Sequence, residues 1–200
     1  CKEFGSFCIP AIEKRTKLHS MQNHVKPRVA IIGCGGMGRA HAQALLAFGE
    51  FELVAAADPF PEPRAAMKKV ANSIQLDENT NDMLERERPD LVVVATAAAY
   101  HRDLVIAALR AGAHVLCEKP FSATLAEADE MLAVAQETGR MLLVDHQFRI
   151  NPRVLAARRM VREGALGEVL SMHCTGKGRF GGWELVETGT HLFDVAMLFA

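Results

Sequence analysis

Short apolar runs alternate with amphipathic stretches along most of this chain. The runs predict strands at Val29–Ile32, Phe51–Ala57, Ser73–Leu76, Leu91–Ala95, His114–Cys117 and Met141–Val144. Several of them are apolar throughout, as expected for parallel strands that are covered on both faces. Strands that alternate with helices predict an α/β fold with a doubly wound parallel sheet, whose usual strand order is 3-2-1-4-5-6.

Helix start and stop signals lie between these strands. The predicted helices are Glu62–Asn72, a helix from the N-cap Asn81 through Arg88, His101–Ala111, and a helix from the N-cap Thr124 to Thr138. Pro89, Gly112 and Gly139 follow three of these helices, at positions where a helix is expected to end.

The turn after the first strand carries three spaced glycines. Gly33 permits a tight turn, Gly35 lets the backbone approach a pyrophosphate, and Gly38 lets the following helix pack closely on its strand. That helix starts with free N–H groups and the positive end of its dipole. Asp58 follows the second strand, twenty residues after Gly38, where a carboxylate accepts hydrogen bonds from a ribose. The pattern predicts a Rossmann dinucleotide-binding domain whose cofactor contacts include Gly33, Gly35, Gly36, Met37, Gly38 and Asp58.

Other polar residues also follow strands directly. Thr96 comes after the fourth strand, Glu118 and Lys119 after the fifth, and Asp145 and His146 after the sixth. Ligands of such sheets bind in the crevice outside the carboxyl ends of the strands. We therefore expect Thr96, Glu118 and Lys119 to join the cofactor site.

A further strand and helix are predicted near the end of the chain, at Gly167–Thr175 and Glu184–Ala200. Glu187, His191 and Asp194 are spaced four and three residues apart, which puts them on one helix face. A carboxylate bonded to one imidazole nitrogen leaves the other nitrogen for proton transfer. The same spacing permits a metal site, although the set contains a single histidine, and it also permits an ordinary surface cluster.

Together these motifs resemble the Gfo/Idh/MocA oxidoreductases over roughly residues 27–200. The resemblance is carried by Gly33-x-Gly35-x-x-Gly38, Glu118-Lys119-Pro120, Arg149, Pro152 and Gly189-x-His191-x-x-Asp194. It implies that Lys119 and His191 lie beside the nicotinamide and the reacting carbinol of the substrate. It further implies that Glu118 orients Lys119 or contacts the cofactor, and that Glu187 or Asp194 holds the imidazole.

The resemblance also implies a substrate domain and an oligomer. We expect substrate contacts from Arg149, His173 and Lys177, and assembly of the complete protein into a homo-oligomer. The sequence departs from the family at two places, because many members have aspartate at the position of Glu187 and proline at the position of Ala97. Glu187 is one methylene longer than aspartate, so its carboxylate reaches further, and Ala97 changes the loop after the fourth strand.

Composition and charge exclude several classes of protein. The net charge is −1 without a basic cluster, which argues against nucleic acid as a partner, and no apolar run approaches the roughly 20 residues of a membrane span. The five cysteines are scattered, which favours a reducing, cytoplasmic compartment. We expect residues 1–24 to be a poorly ordered extension, 25–150 the dinucleotide-binding domain, and 151–200 the beginning of an α+β substrate domain of a longer protein.

The expected function is that of an NAD(P)-dependent dehydrogenase acting on a secondary alcohol of a sugar or polyol, the substrate class following from the resemblance. Asp58 favours NAD over NADP, although Arg64 lies close enough in sequence to weaken this preference. Two alternatives stay open: a nucleotide-binding regulator without turnover, and a metal-assisted hydrolase that uses Glu187, His191 and Asp194. We expect no metal in the dehydrogenase.

Overall fold

The computed structural model describes residues 25–175 and 189–199. Six parallel strands form one sheet with the order β3-β2-β1-β4-β5-β6, which confirms the predicted fold and strand order. The strands are β1 (Arg28–Ile32), β2 (Glu52–Ala57), β3 (Gln75–Asp77), β4 (Leu91–Val94), β5 (His114–Cys117) and β6 (Leu142–Val144). The predicted extension, residues 1–24, lies outside the described residues.

Helices connect the strands and cover both faces of the sheet. They are α1 (Gly36–Phe48), α2 (Pro61–Val70), α3 (Thr80–Glu87), α4 (His101–Arg110), α5 (Leu125–Thr138), α6 (Pro152–Arg162) and α7 (Gly189–Met197). Single 3₁₀ turns precede α4 at Ala98–Tyr100 and α6 at Gln147–Ile150. Within the described ranges, no helix combines the length and apolar character needed to cross a bilayer.

The central strand β1 contributes to two buried clusters because successive side chains point to opposite faces of a sheet. Ile31 packs in the cluster that includes Met67 of α2, whereas Ile32 packs in the cluster that includes Leu109 of α4 and Met131 of α5. With both faces covered, the carboxyl ends of the strands form the edge at which polar residues can meet a ligand.

Helix caps explain most of the element boundaries. Thr124 and Glu127 form a capping box at the start of α5, and Gly139 ends that helix in the left-handed conformation with φ 64°. The predicted cap of α3 is wrong by two residues. Asn79 is the N-cap, because its side-chain oxygen accepts from the backbone N–H groups of Asn81 and Asp82.

The strand predicted at Gly167–Thr175 is also wrong. These residues are exposed and make no ladder hydrogen bonds to any strand of the described ranges. A strand needs a neighbour to satisfy its backbone groups, and the sheet ends at β6. The predicted helix Glu184–Ala200 is confirmed over Gly189–Met197, and its first five residues lie outside the described ranges.

Candidate active site

The glycine turn brings β1, β4 and α1 into close contact. Gly33 has φ +99°, and a Cβ there would lie 2.5 Å from the carbonyl oxygen of Ala95. A Cβ on Gly38 would lie 1.8 Å from the carbonyl oxygen of Gly33. The first and third glycines are therefore required by the packing of the backbone.

The second glycine of the turn faces open space. A Cβ built on Gly35 or Gly36 meets no atom within 4 Å, and Gly35 is the N-cap of α1 without a side-chain cap. The first N–H groups of α1 therefore point out of the fold without a capping side chain. A pyrophosphate fits this position because it accepts hydrogen bonds and is attracted by the helix dipole.

Asp58 supports the turn from the end of β2. Its side chain is buried, and its two oxygens accept from the backbone N–H groups of Cys34 at 2.8 Å and Phe60 at 2.9 Å. Each carboxylate oxygen can accept a second hydrogen bond, so the contacts leave capacity for a ribose hydroxyl. Arg64 donates to the carbonyl oxygen of Asp58 and lies 3.7 Å from the carboxylate of Glu78.

A cavity of about 480 Å³ opens beside this turn, between the carboxyl ends of β1 to β4. Its lining includes Gly33, Pro59, Glu78, Thr96 and Tyr100. The volume falls in the range of sites for small ligands and cofactors, about 300–1,000 Å³. The predicted residue Thr96 therefore lies in the wall of the cavity that flanks the glycine turn.

His101 connects the loops that follow β4 and β5, next to this cavity. The ring is fully buried, with Nε2 3.0 Å from the carbonyl oxygen of Thr96 and Nδ1 3.3 Å from the sulfur of Cys117. Burial, together with the charge of Glu118, raises the pKa of Cys117 to about 12, so the thiol stays protonated, and it donates to the carbonyl oxygen of Glu118 at 3.4 Å. His101 therefore has a structural role, at the base of the loop that carries Lys119.

Lys119 directly follows Glu118, a buried carboxylate that has a hydrogen-bond donor on each of its two oxygens. Glu118 is 5% exposed, its Oε1 lies 2.9 Å from Nε2 of His41, and its Oε2 accepts from the backbone N–H of Lys119 at 3.2 Å. Asp145 lies 3.7 Å from the same His41 nitrogen. Burial opposes ionisation of Glu118, but the hydrogen bond and charge of His41 and the Lys119 contacts together lower its pKa.

His191 lies on α7, close enough to Lys119 for their charges to interact. Burial is the main cause that lowers the pKa of His191, and the charges of Lys119 and His146 lower it further. The imidazole ring packs edge-on against Phe148, with ring centroids 5.0 Å apart. Its Nδ1 is buried without a hydrogen-bond partner among the described residues. His191 is therefore a neutral imidazole at pH 7, available to accept a proton.

Asp194 does not hold this imidazole. Its Oδ1 lies 2.7 Å from both Nε and Nη2 of Arg149, and its Oδ2 lies 3.8 Å from Nδ1 of His146. The guanidinium attracts the carboxylate because it offers several donors and a full charge in one plane. The predicted pairing of Asp194 with His191 is not made in the described structure, and Arg149 is occupied by an ion pair.

The remaining predicted residues near the end of the chain are Glu187, Lys177 and His173. Glu187 and Lys177 lie outside the described residues. His173 is exposed in the segment that lacks the predicted strand. A group with metal-ligand chemistry does occur, formed by His41, Glu118 and Asp145 within 4.8 Å of one another, but it is not the predicted Glu187, His191 and Asp194 set.

Residues 27–146 match the family described as "Oxidoreductase family, NAD-binding Rossmann fold". The chain belongs to the Gfo/Idh/MocA oxidoreductase family. It is 38% identical to D-apiose dehydrogenase of Paraburkholderia graminis over 69% of this chain and 37% of that protein. It is 34% identical to D-glucoside 3-dehydrogenase of Escherichia coli over 85% of this chain and 53% of that protein.

The fold is shared with a crystal structure of scyllo-inositol dehydrogenase from Lactobacillus casei that contains NAD(H) and scyllo-inositol. The TM-score is 0.76 at 20% identity, covering 88% of this chain and 56% of that chain. The present chain thus spans about half the length of these relatives, or less. The family match includes the glycine turn and Lys119 and ends before His191.

The open glycine turn, the buried Asp58 and the adjoining cavity fit a nicotinamide dinucleotide, the cofactor class of this family. Sequence reasoning missed His41, although the residue lies in the same glycine-rich stretch. It follows Gly38 by three residues, so both residues lie on the helix face that is turned toward the sheet. A polar residue at that position is a usable signal for a contact with the strand ends.

Proposed function

We propose that this protein oxidises a secondary alcohol of a sugar or polyol with a nicotinamide dinucleotide as the hydride acceptor. The observation that carries the proposal is the open glycine turn beside a cavity of about 480 Å³, at the same edge of the sheet where Lys119 follows β5. The substrate class is supported by the relatives named D-apiose dehydrogenase and D-glucoside 3-dehydrogenase.

The dinucleotide is held by the chain's own turn and strand ends. The N–H groups at the start of α1 bind the pyrophosphate, Asp58 accepts from a ribose hydroxyl, and Thr96 contacts the cofactor from the cavity wall. A nicotinamide dinucleotide bound there would supply the hydride acceptor for the substrate carbon. The protein has to supply proton transfer and charge stabilisation around that carbon.

His191 accepts the proton of the substrate hydroxyl on an imidazole nitrogen. Its lowered pKa keeps it neutral at pH 7, which is the form that accepts a proton. Lys119 donates a hydrogen bond to the substrate oxygen as negative charge develops there. Because Asp194 pairs with Arg149, Glu187 is the remaining candidate to orient the imidazole, four residues earlier on the predicted helix.

The hydrolase alternative loses support from the same ion pair. A metal site of Glu187, His191 and Asp194 requires a carboxylate that Arg149 already holds at 2.7 Å. The regulator alternative requires dinucleotide binding without turnover. The assay below distinguishes it from the dehydrogenase.

The proposed function predicts reduction of the dinucleotide in the presence of a suitable polyol. The protein is first titrated with oxidised cofactor, and absorbance of the reduced cofactor is then followed over a panel of pentoses, glucosides and inositols. We expect saturable reduction with at least one member and no reduction by its deoxy analogue at the reacting carbon. Binding without reduction across the panel would support the regulator, and absence of binding would contradict both functions.

Cofactor preference follows from the charges around the ribose site. Asp58 presents a buried carboxylate there, and the guanidinium of Arg64 is occupied by the carbonyl oxygen of Asp58 and lies beside Glu78. A 2′-phosphate would face two carboxylates, and the nearest cation is already partly neutralised. We infer that the protein prefers NAD over NADP.

We predict that NAD binds about 10- to 10²-fold more tightly than NADP, because like charges a few ångströms apart repel at a partly buried site. Asp58→Asn removes the charge with little change of shape. It should reduce the ratio of the NADP and NAD dissociation constants to less than about threefold. Asp90→Asn is the matched control, since Asp90 also accepts a backbone N–H, from Arg28, at the opposite end of the sheet. Equal dissociation constants in the unmodified protein would contradict the preference.

A further inference from the structure

A partly buried polar cluster adjoins Lys119, and the proposed chemistry does not use it directly. It consists of His41 from α1, Glu118 after β5 and Asp145 after β6. Nε2 of His41 lies 2.9 Å from Oε1 of Glu118 and 3.7 Å from Oδ2 of Asp145. Three separate elements are therefore joined at one imidazole nitrogen.

The cluster continues into the backbone of Lys119. Glu118 has one oxygen on His41 and the other on the N–H of Lys119, at 3.2 Å. Because a carboxylate only accepts, Nε2 of His41 must carry the proton in this hydrogen bond. The direction of each bond is thus fixed, from His41 to Glu118 and from the Lys119 N–H to Glu118.

The cost of burial makes the His41 contact important. A carboxylate that is 5% exposed is unfavourable unless donors compensate for the lost water. Without His41, Oε1 of Glu118 would lose its imidazole donor, and the carboxylates of Glu118 and Asp145 would lose the ring nitrogen that both contact. Glu118 would then take up a proton or rotate toward solvent, and either change would alter the acceptor of the Lys119 N–H.

We propose that His41 is a positioning residue that fixes Lys119 through Glu118. It also links the lysine to the cofactor turn, because His41 lies one helical turn beyond Gly38 on α1. A side chain displaced by about 1 Å can cost about 10²-fold in rate, so a modest shift of Lys119 has a large effect. The kinetic part of this inference rests on the proposed function, whereas the structural part does not.

The kinetic test compares His41→Leu with His41→Gln. The leucine variant should lower kcat by about 10- to 10²-fold, with KM and the dissociation constant of the cofactor changed less than about threefold. The glutamine variant keeps an N–H donor and should recover most of that loss. Gln43→Leu, on the exposed side of the same helix, is the control and should behave as the unmodified protein.

The pH profile provides a second kinetic readout. His41→Leu removes a donor that lowers the pKa of Glu118, so protonation of Glu118 should begin at higher pH and add its own acidic step to the kcat profile, besides the step of His191. The other titratable groups facing the cluster are Lys119, His146 and His191. They are present in every variant, so a shift confined to His41→Leu is assigned to the lost donor.

Amide hydrogen exchange tests the structural part without any turnover. Peptides that cover residues 117–122 should exchange faster in His41→Leu than in His41→Gln or Gln43→Leu, while peptides of β1 stay protected. Unchanged exchange in the leucine variant would overturn the positioning role, as would a glutamine variant no better than leucine. If the unmodified protein reduces no cofactor, the proposed function fails and the exchange result still decides the role of His41.

Discussion

Replacing Lys119 with alanine is expected to lower turnover by about 10²–10⁴-fold, the usual range for a positioned proton-transfer or oxyanion-stabilising group. His191→Ala should lower turnover on the same order, since its neutral imidazole is the group assigned to accept the substrate proton and lies close enough to Lys119 for their charges to interact. The dissociation constant of the dinucleotide should change little, because the glycine turn and Asp58 bind the cofactor. Steady-state kinetics with a parallel cofactor titration measure both quantities.

The pH dependence of the residual activity of Lys119→Ala provides a further test. The lysine charge helps to lower the pKa of His191, so its removal lets that pKa rise, although burial still opposes protonation. The imidazole must be neutral to accept a proton, and the acid limb of the profile should therefore move to higher pH. Lys119→Arg keeps the charge and should leave this limb in place.

Lys68→Ala is the matched control for the lysine variants, since Lys68 is exposed on α2, away from the strand ends. It should leave turnover, cofactor affinity and the acid limb unchanged. Near-normal turnover of Lys119→Ala or His191→Ala across the pH range would contradict the assigned roles. A loss of cofactor binding as large as the loss of turnover would assign them to binding instead.

Local patterns predicted the sheet because the information for each element lies within a few residues. β5 was predicted to the residue, since the apolar run His114–Cys117 is bounded by Gly112 and by Glu118. The helix α5 was also predicted to the residue, from its cap and its closing glycine. The strand order is the usual one for a doubly wound sheet that carries this glycine turn.

The contacts within the site were harder to predict because they join residues far apart in the chain. His41 and Glu118 are separated by 77 residues, and Arg149 and Asp194 by 45. Helical spacing puts Asp194 near His191, but it cannot show that a guanidinium from another element competes for the carboxylate. The predicted strand at Gly167–Thr175 failed for a related reason, since its pattern contains no information about a partner strand.

Two glycines of the turn, Gly35 and Gly38, should respond differently to the same added methyl group. In Gly38→Ala the new Cβ would lie 1.8 Å from the carbonyl oxygen of Gly33, so α1 must move away from β1. Both clashing groups are held by the backbone, and we expect a cost of about 3–5 kcal/mol. For a chain of this size, that cost corresponds to a fall of about 6–20 °C in Tm.

Gly35→Ala should leave the fold intact and impair the binding of the dinucleotide. Gly35 has φ −66°, which alanine adopts readily, and its Cβ would meet no protein atom within 4 Å. Its Tm should change by less than about 3 °C, because the unfolded chain also loses freedom. The methyl group would enter the space assigned to the pyrophosphate and displace it from the α1 N–H groups, raising the dissociation constant by about 10²-fold.

Thermal melts and cofactor titrations of the two variants side by side measure both effects. If Gly35→Ala bound the dinucleotide with unchanged affinity, the assignment of the pyrophosphate to this turn would be wrong. If Gly38→Ala had an unchanged Tm, the close contact between Gly38 and Gly33 would be contradicted.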